Sequence, residues 1–160
     1  DLDTQADRDY YLACRQDAWQ TIYGNLDRYD GAGFLDDAYD SWKANPKSLV
    51  VAMAGSHRAG LLQLDPRRGQ EAHEAYISFL YLAPEQRNNG VGIQLIGKAV
   101  SLSRPLDCDK LGLVCSEQNA HALAFYQKYG FHTIGTEAGA YGTLYRMQKD
   151  IGYTVREDLM

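Results

Sequence analysis

The sequence has few of the residues that hold small proteins together through covalent bonds or metal ions. Three cysteines occur in 160 residues, Cys14, Cys108 and Cys115, and no pair of them has C-x-x-C spacing. An odd number of widely separated cysteines predicts neither a disulfide framework nor a zinc site, so no metal is expected. Hydrophobic residues make up 45% of the chain, enough for one domain with a single sizeable core.

Long apolar runs and positive charge are also scarce. No run approaches the roughly 20 residues of a membrane span, and the mean hydropathy is −0.43. No signal peptide is visible at Asp1, so we expect a cytoplasmic protein without a membrane partner. The net charge is −5, and the basic residues Arg67 and Arg68 form only a two-residue step. Because duplex binding depends on clustered cations, this balance argues against nucleic acid as a partner.

Hydrophobic periodicity and turn residues predict a helical first quarter and a mixed α/β body. Residues 5–25 are expected to form a helix, and residues 27–45 a loop or short-helix region. The other predicted elements are a hairpin of strands 48–54 and 59–65 across Gly55-Ser56-His57-Arg58, strand 74–82, helix 90–103, strand 110–115, helix 119–129, and strands 131–137 and 143–149. This order predicts one α/β domain over residues 1–150, with residues 151–160 as a tail or sheet-edge segment.

One stretch has the pattern of an anion site. An apolar run ending at Leu82 leads through Pro84 into Arg87-Asn88-Asn89-Gly90-Val91-Gly92 and an amphipathic segment. This order predicts a strand, a loop and a helix start. The first N–H groups of a helix lack partners and carry about half a positive charge, so they stabilise a phosphate. Two glycines permit close approach and Arg87 can add a charged donor, which predicts a pyrophosphate cradle.

Two well-known phosphate-binding motifs do not fit this stretch. The Walker pattern needs a Lys-Ser/Thr pair after its second glycine, and the dinucleotide fingerprint needs Gly-x-Gly-x-x-Gly; neither is present after Gly90. A glycine-rich turn that merely starts a helix would have the same residues. On these residues alone, that alternative stays open.

A second motif, Asn119 to Phe131, follows roughly thirty residues later. Asn119 is a preferred N-cap, and Gly130 stands where a left-handed helix stop belongs. Arg-x-x-Gly-x-Gly followed by Asn-x-x-Ala-x-x-Phe-Tyr-x-x-x-Gly-Phe resembles the GCN5-related N-acetyltransferase (GNAT) superfamily. The resemblance covers roughly residues 1–150. Family members begin with a strand before the segment that corresponds to Asp1, so we expect a fragment or a trimmed start.

The resemblance implies a fold and a co-substrate. The expected fold is a central, mostly antiparallel sheet with flanking helices, in which the family's fourth and fifth strands are parallel and splayed and its first strand is missing here. Acetyl-CoA would lie in the gap, with main-chain contacts from Leu80 and Leu82, and Leu80 would also polarise the thioester carbonyl. The residues assigned to coenzyme A are Leu80, Tyr81, Leu82, Arg87, Asn88, Asn89, Gly90, Val91, Gly92, Asn119 and Tyr126.

The resemblance also proposes catalytic residues. Tyr126 would donate a proton or hydrogen bond to the departing thiolate, although a tyrosine between aromatic neighbours could instead be core. Many members carry a glutamate as base at the place that Tyr76 occupies here. Glu74 lies on the same strand face by the period of two, so Glu74 with a relaying water, or Tyr76 itself, is the candidate base. Glu74 could equally be a solvated carboxylate.

The acceptor is not written in these motifs. In this fold the first helices and late strands build its pocket, from aromatic residues that could cage a cation or simply form core. Those residues are Trp19, Tyr23, Tyr29, Phe34, Trp42, Tyr141 and Tyr145. The prediction is an N-acetyltransferase acting on a primary amine of a small molecule or peptide. The alternatives are a degenerate domain that senses acyl-CoA and a structural domain that binds no cofactor. A sheet edge left open by the missing strand would permit a homodimer.

Overall fold

The computed structural model describes residues 1–69 and 72–152. The helices are α1 (Gln5–Tyr23), α2 (Gly31–Ala44), α3 (Val91–Ser103) and α4 (Ala120–Lys128). The strands are β1 (Leu49–Ala54), β2 (His57–Asp65), β3 (Glu74–Leu82), β4 (Lys110–Ser116), β5 (His132–Gly139) and β6 (Gly142–Asp150). The expected tail or edge segment lies outside the described residues from position 153 onward.

Six strands form one mixed sheet in the order β1-β2-β3-β4-β6-β5. Every neighbouring pair is antiparallel except β3 and β4, which are parallel. The parallel pairing covers only Glu74–Tyr76 against Lys110–Gly112, and beyond it the two strands diverge. The expected mostly antiparallel sheet with a splayed parallel pair is therefore confirmed.

Helices cover both faces of the sheet, and each face has its own core. On one side α3 and α4 pack on the sheet through residues that include Leu95, Ile96 and Tyr126. On the other side α1 and α2 cover a smaller cluster that includes Tyr11 and Ala38. The sheet is thus held between two helical layers, and its open cleft has a helix on each side.

A β-bulge in β3 changes which side chains face which core. Gln63 pairs with Phe79 and Leu64 pairs with Ile77, so Ser78 is the extra residue. After the bulge, Phe79 packs on the α1/α2 side, whereas Leu80 joins Ile77 on the α3/α4 side. A strict period of two would have placed Leu80 on the opposite face from Ile77.

Two predicted elements differ in extent from those of the structure. The region predicted as loop or short helix contains α2, 14 residues long, whose N-cap Asp30 accepts the Gly33 N–H at 3.0 Å. Two glycines in the first turn weaken helix propensity, but this cap and the packing of Ala38 offset that cost. The hairpin is also tighter than predicted. β2 begins at His57, so only Gly55 and Ser56 form the turn, with Gly55 at φ 64°.

The structure also describes the three cysteines, and it bears on membrane-spanning helices and on metal-binding groups. Cys14, Cys108 and Cys115 are free thiols and buried. Within the described ranges, no helix is both long enough and apolar enough to cross a membrane. The same residues contain no group of three or more His, Cys, Asp or Glu side chains placed to hold a metal ion.

Candidate active site

A cleft opens where β3 and β4 separate. Its volume is about 250 Å³. Residues 77–80 of β3 form one wall, and residues 113–116 of β4 form the other. Ala122 and Tyr126 of α4, and Asn119 just before this helix, also border the cleft. Because strand pairing stops at Tyr76 and Gly112, the main chain facing the cleft has no partner strand here. An extended polar ligand could therefore bind along these strands as an added strand would.

The start of α3 differs from the start of the other three α-helices. Side chains of Thr4, Asp30 and Asn119 cap α1, α2 and α4, whereas α3 has no side-chain cap. The first N–H groups of α3 are thus left for another acceptor. Gly90 precedes them at φ 81°, and a Cβ there would meet nothing within 4 Å. The helix end is uncapped and open to solvent, as an anion site requires.

The predicted cradle residues come together at this helix start. Arg87 donates from Nε to the carbonyl oxygen of Leu82 at 3.3 Å, which holds the guanidinium beside the end of β3. Asn88 adopts φ 69°, and Asn89 donates from Nδ2 to the carbonyl oxygen of Glu85 at 3.3 Å. Two side chains of the loop therefore hydrogen-bond to nearby main-chain carbonyl oxygens.

Gly92 has a packing role that the sequence does not reveal. A Cβ at Gly92 would lie 2.6 Å from Phe125 Cε2 and 3.2 Å from Leu82 Cδ1. The absence of a side chain therefore lets α3 approach α4 and the end of β3. Gly90, rather than Gly92, leaves the open space for a ligand.

Gly92→Ala is expected to lower the free energy of unfolding by about 1–3 kcal/mol, because the new methyl group overpacks the contact with Phe125. Chemical denaturation of both proteins measures this difference. In the double variant with Phe125→Leu, we expect a smaller loss than the sum of the two single changes. An unchanged denaturation midpoint for Gly92→Ala would contradict the tight contact.

Tyr126 lies in the cleft with its ring buried. The ring packs edgewise on Phe125 and Phe131, each at 5.4 Å between centroids. The residue borders the cleft, and its hydroxyl makes no hydrogen bond with any other described residue. Burial, and secondarily the neighbouring Cys115, raises the pKa of Tyr126, so the phenol is protonated at neutral pH. The ring is the core residue that the sequence offered as one alternative, and the donor role of the hydroxyl stays a prediction.

Asn119 caps α4 as the sequence predicts. Its Oδ1 accepts the N–H of Ala122 at 3.2 Å. The residue also borders the cleft, at the end of the β4 wall. Capping accounts for its conformation, and its place in the cleft leaves a ligand role as a proposal.

The two candidate bases differ in their surroundings. Glu74 accepts a hydrogen bond from Gln148 Nε2 at 2.7 Å, and its carboxylate covers Gly112. It borders neither the cleft nor a second cavity that adjoins the cleft between α1, α2 and β3. Tyr76 borders this second cavity together with Ser78. Burial raises the pKa of Tyr76, and the Arg68 guanidinium 3.9 Å above its ring opposes that shift.

The second cavity is larger than the cleft, with a volume of about 510 Å³. Trp19 borders this cavity, and four aromatic rings lie 4.6 to 6.3 Å from the Trp19 ring, measured between centroids. These rings belong to Tyr23, Tyr29, Phe34 and Tyr141. Five of the seven predicted aromatic residues thus meet. Trp42 instead packs on Tyr39, and Tyr145 packs against the α3/α4 core.

Sequence reasoning missed Arg15, which borders both the cleft and the second cavity. One signal could have found it. Tyr11, Arg15 and Trp19 recur every four residues on α1 and so share a helix face. A cation between two aromatic residues on the buried face of a helix is unusual, because charged side chains normally point to solvent.

Comparisons with known proteins agree with this geometry. The family described as Acetyltransferase (GNAT) matches residues 8–131. A curated relative, GCN5-related N-acetyltransferase 4, chloroplastic, from Arabidopsis thaliana, is 28% identical over 111 residues, 63% of this chain and 38% of that one. The crystal structure of Ard1 from Thermoplasma volcanium aligns with a TM-score of 0.73 at 22% identity, covering 94% of this chain and 95% of that one.

A second solved structure, an aminoglycoside 6'-N-acetyltransferase complexed with coenzyme A, aligns with a TM-score of 0.73 at 17% identity, covering 98% of this chain and 97% of that one. These two structures share the fold. Because the family match covers most of its length, the chain belongs to the GNAT acetyltransferase family. The chain spans only 38% of the length of its Arabidopsis relative.

Proposed function

We propose that this protein transfers the acetyl group of acetyl-CoA directly to a primary amine of a small molecule or peptide. One observation carries the proposal: Tyr126, whose hydroxyl makes no hydrogen bond with any other described residue, borders the cleft between β3 and β4, and the next helix after β3, α3, begins without a side-chain cap. Family membership supports acyl transfer from an acyl-CoA to an amine. The acetyl group and the primary amine are the finer parts of the proposal.

The residues present fit coenzyme A. The N–H groups at the start of α3, with Arg87 beside them, would hold the pyrophosphate in the open space at Gly90. The main chain of β3 on its cleft side, where β3 has no partner strand, would bind the pantetheine arm. The proposed contact residues remain Leu80, Tyr81, Leu82, Arg87, Asn88, Asn89, Gly90, Val91, Gly92, Asn119 and Tyr126. When bound, acetyl-CoA supplies an activated thioester carbonyl and a thiol leaving group.

In the proposed reaction a nitrogen–carbon bond forms as the carbon–sulfur bond breaks. The acceptor nitrogen loses two protons, one from the ammonium before attack and one after the nitrogen–carbon bond has formed. The departing sulfur gains one proton, and the other proton is released to solvent. Tyr126 donates to that sulfur, because its raised pKa keeps the phenol protonated at neutral pH. The Leu80 N–H would polarise the thioester carbonyl, since β3 has no partner strand on its cleft side at this residue.

The acceptor must lose a proton before it attacks, because an alkyl ammonium has a pKa of about 10.4. Tyr76 and Glu74 remain the two candidates for that route. The position of Tyr76 beside the second cavity supports a relay through its hydroxyl. Glu74 is held by Gln148 and would need a relaying water to reach the acceptor.

Glu74→Gln separates these two routes. We expect the pH profile of kcat/KM to stay in place, because the carboxylate is occupied with Gln148 and borders neither cavity of the site. The matched variant Tyr76→Phe removes only a hydroxyl and is expected to lower kcat/KM. A displaced acidic limb in Glu74→Gln would instead assign the proton route to Glu74.

Calorimetric titration with acetyl-CoA, followed by thiol release against a panel of amines, tests the proposed function. Micromolar binding with release is the expected result. Binding without release on any amine would favour the alternative of a degenerate acyl-CoA sensor. Absence of binding would contradict the cradle and favour a structural domain that binds no cofactor.

We also propose that two copies of the chain can form a homodimer. β1 is an edge strand of the sheet, and its outer side has no partner strand in the described part of the chain. A second copy could pair there. Light scattering after gel filtration measures the mass in solution.

A further inference from the structure

Three carboxylates border the second cavity, and each already has a hydrogen-bond or ion-pair donor. Asp65 and Asp37 share Arg67, whose nitrogens lie 3.2 Å and 3.8 Å from their respective oxygens. Asp30 accepts the N–H of Gly33 as the cap of α2. None of these three carboxylates is therefore left without a donor.

The arginines that border the cavity, in contrast, have no carboxylate partner in the described part of the chain. Arg15, Arg28 and Arg68 border it, and none has a carboxylate within 4.0 Å among residues 1–69 and 72–152. Arg68 lies 3.9 Å above the ring of Tyr76, and Arg28 lies 5.0 Å above the ring of Tyr141. Three cations thus face one cavity with aromatic rings, not anions, as their partners.

Arg15 is held most firmly. Its guanidinium carbon lies 3.9 Å from the centroid of Phe79 and 4.3 Å from that of Phe34. Nε donates to Tyr11 Oη at 3.0 Å, and Nη2 donates to Gln63 Oε1 at 3.3 Å. Both partners are neutral and almost fully buried. The remaining N–H groups stay available in a fixed plane, which is the arrangement that binds a carboxylate in two places.

The same geometry argues against a cage for a cationic acceptor. A cation binds to the face of an aromatic ring. The chain's own guanidinium groups cover Phe34 and Tyr141, and Trp19 packs edgewise on both rings.

We infer that the acceptor is a small amino acid, an amine that also carries a carboxylate, and that Arg15 binds this carboxylate. The inference deepens the proposed function and rests on it. Arg15 borders both cavities, so a carboxylate bound there lies at their junction, and the amine of the same molecule can face the cleft. The cavity of about 510 Å³ is in the range of small-molecule sites.

The test compares each common α-amino acid with its own carboxamide as acceptor, at saturating acetyl-CoA. The carboxamide keeps the amine and the side chain but removes the negative charge. We expect the best acid to exceed its carboxamide in kcat/KM by about 10- to 100-fold, the range for a charge-assisted pair. In Arg15→Gln this ratio should fall toward one. Arg15→Lys should keep part of it, since the charge remains without the planar fork.

Arg58→Gln is the matched control. Arg58 also lies over a tyrosine of α1, 5.4 Å from the centroid of Tyr10, but it borders neither cavity and pairs with Asp7. The acid-to-carboxamide ratio should be unchanged in this variant. Because the measured quantity is a ratio of two acceptors in one protein, partial loss of folded Arg15→Gln does not alter it.

The outcomes separate the two proposals. Acetylation of polyamines or carboxamides in preference to acids would overturn the carboxylate inference and leave the acetyltransferase intact. An acid preference that survives in Arg15→Gln would overturn the role of Arg15. Failure to acetylate any amine, with acetyl-CoA bound, would overturn the proposed function and this inference with it.

Discussion

Tyr126→Phe is expected to lower kcat by about 10²-fold or more and to leave the affinity for acetyl-CoA nearly unchanged. The substitution removes only the hydroxyl, which makes no hydrogen bond within the described structure, so no packing contact of the ring with Phe125 or Phe131 is lost. A donor placed where negative charge develops acts mainly in the transition state, so its loss lowers kcat rather than binding.

Steady-state kinetics and calorimetric titration of the two proteins measure the two halves of this prediction. Tyr129→Phe is a suitable control, because Tyr129 lies on the same end of α4, packs on Phe125 at 4.9 Å, and does not border the cleft. Its kcat should match that of the unaltered protein. An unaltered rate in Tyr126→Phe would remove the hydroxyl from the chemistry and leave Tyr126 as a core residue.

The pH dependence gives Tyr126 a second readout. Burial raises the pKa of this phenol above its ordinary value of about 10. The protonated, donating form therefore persists to higher pH than in an exposed tyrosine. If Tyr126 is the acid, no loss of kcat from its ionisation should occur below about pH 10.

The features of this protein that could be predicted from the sequence are those determined by residues within one short segment. The loop Arg87 to Gly92 holds its arginine, its left-handed glycine and its helix start within a few residues, and the structure brings these together. Asn119 likewise caps its own helix. Such local features depend on backbone preferences that are expressed in any fold.

Other parts depend on contacts between distant segments, and residue order does not reveal them. Glu74 accepts a hydrogen bond from Gln148, 74 positions later, and it borders neither the cleft nor the second cavity. The bulge at Ser78 appears only in the register of β3 against β2. Arg15 owes its place to Phe34 and Phe79, which come from two other elements. The splay of β3 and β4 could be predicted only from the family resemblance.

Gly90→Glu is expected to abolish measurable coenzyme A binding, with a rise in Kd of about 10²-fold or more. A carboxylate would replace open space beside the uncapped N–H groups of α3, where it would satisfy those groups itself and repel a pyrophosphate. A side chain at φ 81° also costs about 1–2 kcal/mol in the left-handed region. The unfolding midpoint should therefore fall slightly while the fold persists.

Two companion variants separate charge, strain and site. Gly97→Glu adds the same carboxylate farther along α3, at a position where a Cβ also meets nothing within 4 Å, and its coenzyme A affinity should be unchanged. Gly90→Ala adds the backbone strain without the charge and should weaken binding less than Gly90→Glu does. If Gly90→Glu and Gly97→Glu bind coenzyme A equally well, the start of α3 does not hold the pyrophosphate. Both the enzyme and the sensor would then need another phosphate site.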